Sequence, residues 1–109
     1  MSLQSTENKP LEIVWRAKAI ADVKSIVHYI SQYSTTAAHN QRQRIRSRIE
    51  SVSEAPGIGK PAQSNAHAAR GVRYTTEGRY YIYYEVVGTQ LRILRVRHTS
   101  RDILENNID

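Results

Sequence analysis

Residues 78–98 read Gly78-Arg79-Tyr80-Tyr81-Ile82-Tyr83-Tyr84-Glu85-Val86-Val87-Gly88-Thr89-Gln90-Leu91-Arg92-Ile93-Leu94-Arg95-Val96-Arg97-His98. Aromatic and aliphatic residues alternate on either side of Gly88-Thr89, so the stretch reads as two strands, 80–86 and 91–98, joined by a tight turn. Glu77-Gly78 marks a second short turn, behind which Val72-Arg73-Tyr74 begins a third strand. Together they make an antiparallel meander. Alternation puts Tyr80, Ile82, Tyr84 and Val86 in one row and Leu94, Val96 and His98 in another, both expected on the buried face. Arg79, Tyr81, Tyr83 and Glu85, with Leu91, Ile93, Arg95 and Arg97, then share the opposite face. Rings, methyl groups and guanidinium groups mixed on one face look like a binding surface.

Working toward the N-terminus, the period changes. The stretch 55–70 opens with Ala55-Pro56-Gly57-Ile58-Gly59-Lys60-Pro61, which breaks any helix, and continues rich in Ala, Ser and Asn; it reads as a long loop. Before it, Ala38, Gln41, Ile45, Ile49 and Val52 recur at helical spacing behind Ser34-Thr35-Thr36, whose hydroxyls suit an N-cap. Earlier still, Ile20, Val23, Val27 and Ile30 form the stripe of another helix, with Lys18, Asp22, Ser25, His28 and Gln32 opposite. Leu11-Glu12-Ile13-Val14-Trp15 alternates and supplies a first strand. The order is β-α-α-β-β-β, an α+β fold with a helix hairpin packed on one face of a small, mainly antiparallel sheet. Residues 11–102 form a single domain, preceded by a disordered or tag-like segment 1–10 and followed by a polar tail 103–109.

At 109 residues the chain has room for one core. The absence of cysteine excludes a disulfide framework, a thiolate metal site and a thiol nucleophile. His28, His39 and His67 show no ligand spacing, and the sequence points to no metal and no cofactor. No apolar run approaches the ~20 residues of a membrane span, so the expected setting is the cytoplasm, away from membranes. The net charge of +6 comes mainly from arginine, whose planar fork suits phosphates and carboxylates. An anionic partner follows, either nucleic acid or an acidic protein segment.

The segments Gly71-Val72-Arg73, 78–86 and Ile93-Leu94-Arg95-Val96-Arg97-His98-Thr99-Ser100-Arg101-Asp102 resemble the C-terminal sheet of the RelE/ParE toxin superfamily, most closely its ParE-like, plasmid-stabilisation branch. The strand ending at Trp15, the paired amphipathic helices and the Pro56-to-Pro61 turn are similar in order and spacing, so the resemblance spans residues 11–102. It implies the toxin of a bacterial toxin–antitoxin pair, silenced by an acidic, partly disordered antitoxin that wraps it. In the ParE-like branch the target is DNA gyrase; in the RelE-like branch it is mRNA cut on the ribosome.

The residues bear on that choice. Metal-free RNA cleavage needs proton donors and acceptors beside fixed cations. Arg79, Arg95 and Arg97 would serve as phosphate clamps and His98 as the proton-transfer group. Yet Thr99 follows His98, no tyrosine occurs after Tyr84, and Lys60 is the last lysine, all departures from the nuclease pattern. His98 reads equally as a ring closing the core at a strand end. The gyrase reading needs no catalytic residue, and its contact candidates are Arg73, Arg79, Tyr81, Tyr83, Arg95, Arg97 and Arg101, with Arg44 and Arg48 on the second helix. Those helix arginines, paired with Arg42 and Arg46 across the buried stripe, also read as an ordinary solvated edge. Glu85 is expected to orient Arg79 or Arg95 across strands.

Overall fold

The computed structural model describes residues 9–100 and Ile108. Strand β1 (Glu12–Trp15) leads into helices α1 (Ala17–Ser31) and α2 (Thr35–Glu54). A 3-10 turn (Pro56–Ile58), strand β2 (Lys60–Pro61) and helix α3 (Asn65–Arg70) follow, and then come β3 (Arg73–Glu77), β4 (Tyr80–Val87) and β5 (Gln90–His98). The five strands form one mixed sheet in the order β1-β5-β4-β3-β2; β1 runs parallel to β5 and the other neighbours are antiparallel. This is the expected α+β architecture, with two elements added. The stretch 55–70 is not one loop. Ser64 caps α3 by accepting from the His67 amide, and Gly71 ends it in the left-handed conformation at φ 99°, which a glycine adopts without steric cost. An element of six residues with an Ala-rich face has too little apolar period to announce itself.

Local signals placed the hairpin correctly. Ser34 Oγ accepts from the Ala37 amide at 3.0 Å and starts α2. From α2, Ala38, Gln41, Ile45, Ile49 and Val52 are buried, as their spacing predicts. They meet Ile82, Tyr84, Leu91, Ile93 and Val96 of the sheet, while α1 contributes Ala19 as its one fully buried residue among those described. The rest of the α1 stripe is only partly covered, and Ile20 is 41% exposed.

The two faces of β5 differ from strict alternation. Tyr83 pairs with Arg95 and Tyr84 with Ile93, so Leu94 is an extra residue, a β-bulge. One inserted residue reverses side-chain parity beyond it. Leu91 and Ile93, expected on the outer face, therefore join Val96 under the helices, and Leu94, expected under the helices, turns outward. Val86, also expected under the helices, is 41% exposed at the end of β4. The outer face has a core of its own in which Leu94 packs with Tyr83, Val72, Ala62 and Ile108. Ile108, placed by sequence in a polar tail, is thus buried.

Candidate functional site

The candidate residues collect where β4 and β5 end. The β4–β5 register sets Tyr80 opposite His98, Tyr81 opposite Arg97 and Tyr83 opposite Arg95. Arg79 occupies the two-residue β3–β4 turn beside Gly78, whose φ of 58° explains the glycine there. Its carbonyl accepts the Thr99 amide at 2.8 Å, holding the chain after β5 against the turn, and its side chain is exposed.

Arg95 is committed within the fold. Its Nε lies 2.7 Å from Asp22 Oδ2 and its Nη2 lies 2.9 Å from Oδ1. The hydrogen bond to Asp22 raises the guanidinium pKa above its ordinary value, with desolvation opposing and the carboxylate charge adding. Arg97, half-buried, is shifted the other way: burial lowers it first, the adjacent Arg95 charge lowers it further, and Asp22 opposes. Two arginines so placed concentrate positive charge at this end of the sheet, with Arg95 already carrying its counter-ion.

His98 packs edge-on against Tyr80, ring centroids 5.4 Å apart. Its Nδ1 accepts the Ser100 amide at 3.1 Å and lies 2.8 Å from Ser100 Oγ. A backbone N–H can only donate, so the neutral ring holds its proton on Nε2. The ring partly closes the core beside Tyr80, as one sequence reading had it. Counting back from the Gly88 turn without the bulge would set Tyr80 opposite Arg97, which hides the Tyr80–His98 contact from the sequence.

Several other candidates have structural partners. Arg73 donates through Nη2 to the Gly57 and Gly59 carbonyls and pins the turn ahead of β2. Arg44 donates to Gln41 Oε1 at 3.1 Å and stands 3.6 Å from Glu77. Arg48, half-buried, lines the same shallow polar depression on α2. Glu85 is not oriented toward Arg79 or Arg95; it pairs with Arg70 of α3 at 3.3 Å. Tyr83, expected on a binding face, is 2% exposed beneath Leu94 and Ile108, whereas Tyr81 is half-buried and stacks edge-on with Tyr74 at 5.2 Å. Arg101 lies outside the described residues. Among the described residues no three His, Asp or Glu side chains converge as an ion site. Asp22 is the functional-site residue the sequence concealed, because its partner is 73 positions away and no local pattern signals it.

Comparison with known proteins fits this geometry. Residues 13–103 match the family model described as ParE toxin of type II toxin-antitoxin system, parDE. Over 90 residues the chain is 30% identical to Toxin RelE2 of Caulobacter vibrioides, covering 83% of this chain and 97% of that protein. Over 93 residues it is 33% identical to Toxin ParE1 of the same organism, covering 84% and 91%. In fold it is similar to a chain of the chromosomal ParDE system of P. aeruginosa, with TM-score 0.68 at 24% identity over 81% of this chain and 95% of the other. A chain of the RelBE2 toxin–antitoxin complex of Mycobacterium tuberculosis gives TM-score 0.55 at 22% identity, over 83% and 99%. With nearly the whole described domain inside the matched region, the chain belongs to the ParE toxin family of type II toxin–antitoxin systems, within the wider RelE/ParE superfamily.

Proposed function

We propose that this toxin inactivates DNA gyrase by binding it in the cytoplasm, performs no covalent chemistry, and is held silent by an acidic antitoxin encoded beside it. The observation that carries the reading is the state of the two groups a nuclease would need most. Arg95 is closed on Asp22 and so is not a ready phosphate clamp, and His98 has Nδ1 engaged by Ser100. What remains at the end of the sheet is cationic and aromatic surface in Arg79, Arg97 and Tyr81, suited to carboxylates or phosphates of a macromolecular target. The fold neighbours are components of ParDE and RelBE2 systems, which supports an antitoxin partner. Among the described residues no helix is long and apolar enough to cross a membrane.

A second reading has one observation in its favour. The Tyr80 ring lies against His98, beside Arg97 on the same strand, and a histidine–tyrosine contact next to a cation is a plausible proton-transfer site. On that reading the toxin is a ribosome-dependent mRNA endonuclease. Purified chain assayed in parallel on gyrase supercoiling and on translating ribosomes separates the two. Blocked supercoiling with intact mRNA is expected; cleaved mRNA with unaffected supercoiling would reverse the assignment.

A further inference from the structure

The under-covered face of α1 opens onto a groove of about 570 Å³ between α1 and α2. Its floor is apolar, built from Trp15, Ile20, Val23, Val27 and Ile45, and its rim is cationic, with Lys24 from α1 and Arg42 and Arg46 from α2. His28 stands on the same rim. Among the described residues none of Lys24, Arg42 and Arg46 pairs with a carboxylate; the ion pairs of this end of the fold involve Arg44, Arg70 and Arg95 instead. We propose that this groove is the seat of an acidic amphipathic helix supplied by the antitoxin, a proposal that rests on the reading above that an antitoxin silences the chain.

Three features select that occupant. Both walls are helices whose backbone groups are already bonded along their own axes, so the groove offers no strand edge to pair with. An incoming segment must satisfy its own backbone, which in an apolar groove means a helix. The walls run together from Ile20 to Ser31, roughly 17 Å at ~1.5 Å per residue, the length of about three helical turns. Leucine-sized side chains on one face of the guest would cover Ile20 and Val23, and acidic residues on its flanks would meet Lys24, Arg42 and Arg46. The rim then sets orientation and partner choice while the floor supplies the apolar contact.

Trp15 is the only tryptophan of the chain, and it lines the groove, so its emission reports occupancy directly. The test titrates the full chain with a synthetic peptide of about 16 residues, long enough to form a helix, with leucine at i, i+3, i+4 and i+7, glutamate on the flanks and no aromatic residue. The same peptide with lysine for glutamate, and an oligothymidylate, are titrated alongside. The acidic peptide should shift Trp15 emission to saturation, with the basic peptide weaker by about tenfold or more. Lys24→Glu with Arg46→Glu, both exposed positions checked for folding by circular dichroism, should exchange that preference. The proposal is overturned if the acidic peptide leaves Trp15 unchanged, if both peptides act alike on the unaltered chain, or if only the oligonucleotide acts, which would make the groove a nucleic-acid site. Gyrase and ribosome assays do not depend on the groove, so a failed Trp15 titration leaves the toxin reading in place. Groove binding by a harmless chain would fail the toxin reading alone.

Discussion

Asp22 on α1 accepts both forks of Arg95 on β5 and, through the same Oδ2, the Val96 amide at 2.9 Å. The β1–β5 pairing ends at Trp15 and Ile93, so Asp22 takes over the edge of β5 just beyond the point where its neighbour strand stops. One carboxylate therefore neutralises a mostly buried guanidinium and satisfies a backbone donor that would otherwise stand open, and it ties the helix hairpin to the sheet.

Replacing Asp22 by Ala should cost about 2–3 kcal/mol in urea unfolding, since a charged hydrogen-bond pair is lost and the Val96 amide is stranded. In a double-mutant cycle with Arg95→Ala, the coupling should exceed about 1 kcal/mol. The group whose pKa folding raises is Arg95, so its contribution is complete below the unfolded arginine value of ~12.5 and is lost only as pH rises through the folded one. The Asp22→Ala deficit should accordingly not shrink between neutral pH and pH ~10. A coupling near zero would remove the pair from the stability of the fold.

Gly59 and Gly57 make a matched contrast within one turn. A Cβ at Gly59 would meet the Tyr84 hydroxyl and the Tyr74 carbonyl, and that hydroxyl donates to the Pro56 carbonyl at 2.7 Å; at Gly57 a Cβ meets nothing within 4 Å. Gly59→Ala should cost about 1–3 kcal/mol and Gly57→Ala within about 0.5 kcal/mol, read by thermal unfolding. Equal effects would mean that the Tyr84–Pro56 clamp does not hold this turn.

Tyr83→Ala should destabilise by about 3–5 kcal/mol, because the ring is buried in the outer-face cluster with Leu94 and Ile108. Any loss of toxicity in that variant should track loss of folded protein in urea titrations. A fully stable, non-toxic Tyr83→Ala would restore the residue as a direct contact.

Much of this was open to reading in the chain. Ser34 announced the cap of α2, the Ile45–Ile49–Val52 stripe its buried face, and Gly78 and Gly88 the hairpin turns, because each signal is local and physical. What stayed hidden is non-local. A parity rule assumes one residue per step, so the extra residue Leu94 sent Leu91, Ile93 and Leu94 to the wrong faces. The site suffered more than the fold, since a count of arginines cannot show that Arg95, Arg73 and Arg44 are engaged by Asp22, by two glycine carbonyls and by Glu77. Only Arg79, Arg97 and Tyr81 keep the role that the sequence suggested for them, as proposed contacts.

Those contacts can be weakened without touching the core. Arg79→Ala combined with Arg97→Ala should leave antitoxin binding detectable and reduce toxicity and supercoiling inhibition by about tenfold or more, the sum of two contacts each worth about 1 kcal/mol. Unchanged inhibition by a folded double variant would move the gyrase contact elsewhere.

The central claim, that the toxin acts by binding and not by proton transfer, is tested most directly by His98→Gln. Glutamine keeps much of the size and some of the hydrogen bonding of the ring but cannot shuttle a proton, and removing such a group from an enzyme typically costs ~10²–10⁴-fold in rate. Toxicity should be measured together with antitoxin binding, which certifies that the variant is folded. A toxic His98→Gln, within about tenfold of the unaltered chain, is the predicted result; a folded, antitoxin-binding His98→Gln that has lost all toxicity would contradict it and make the protein an enzyme.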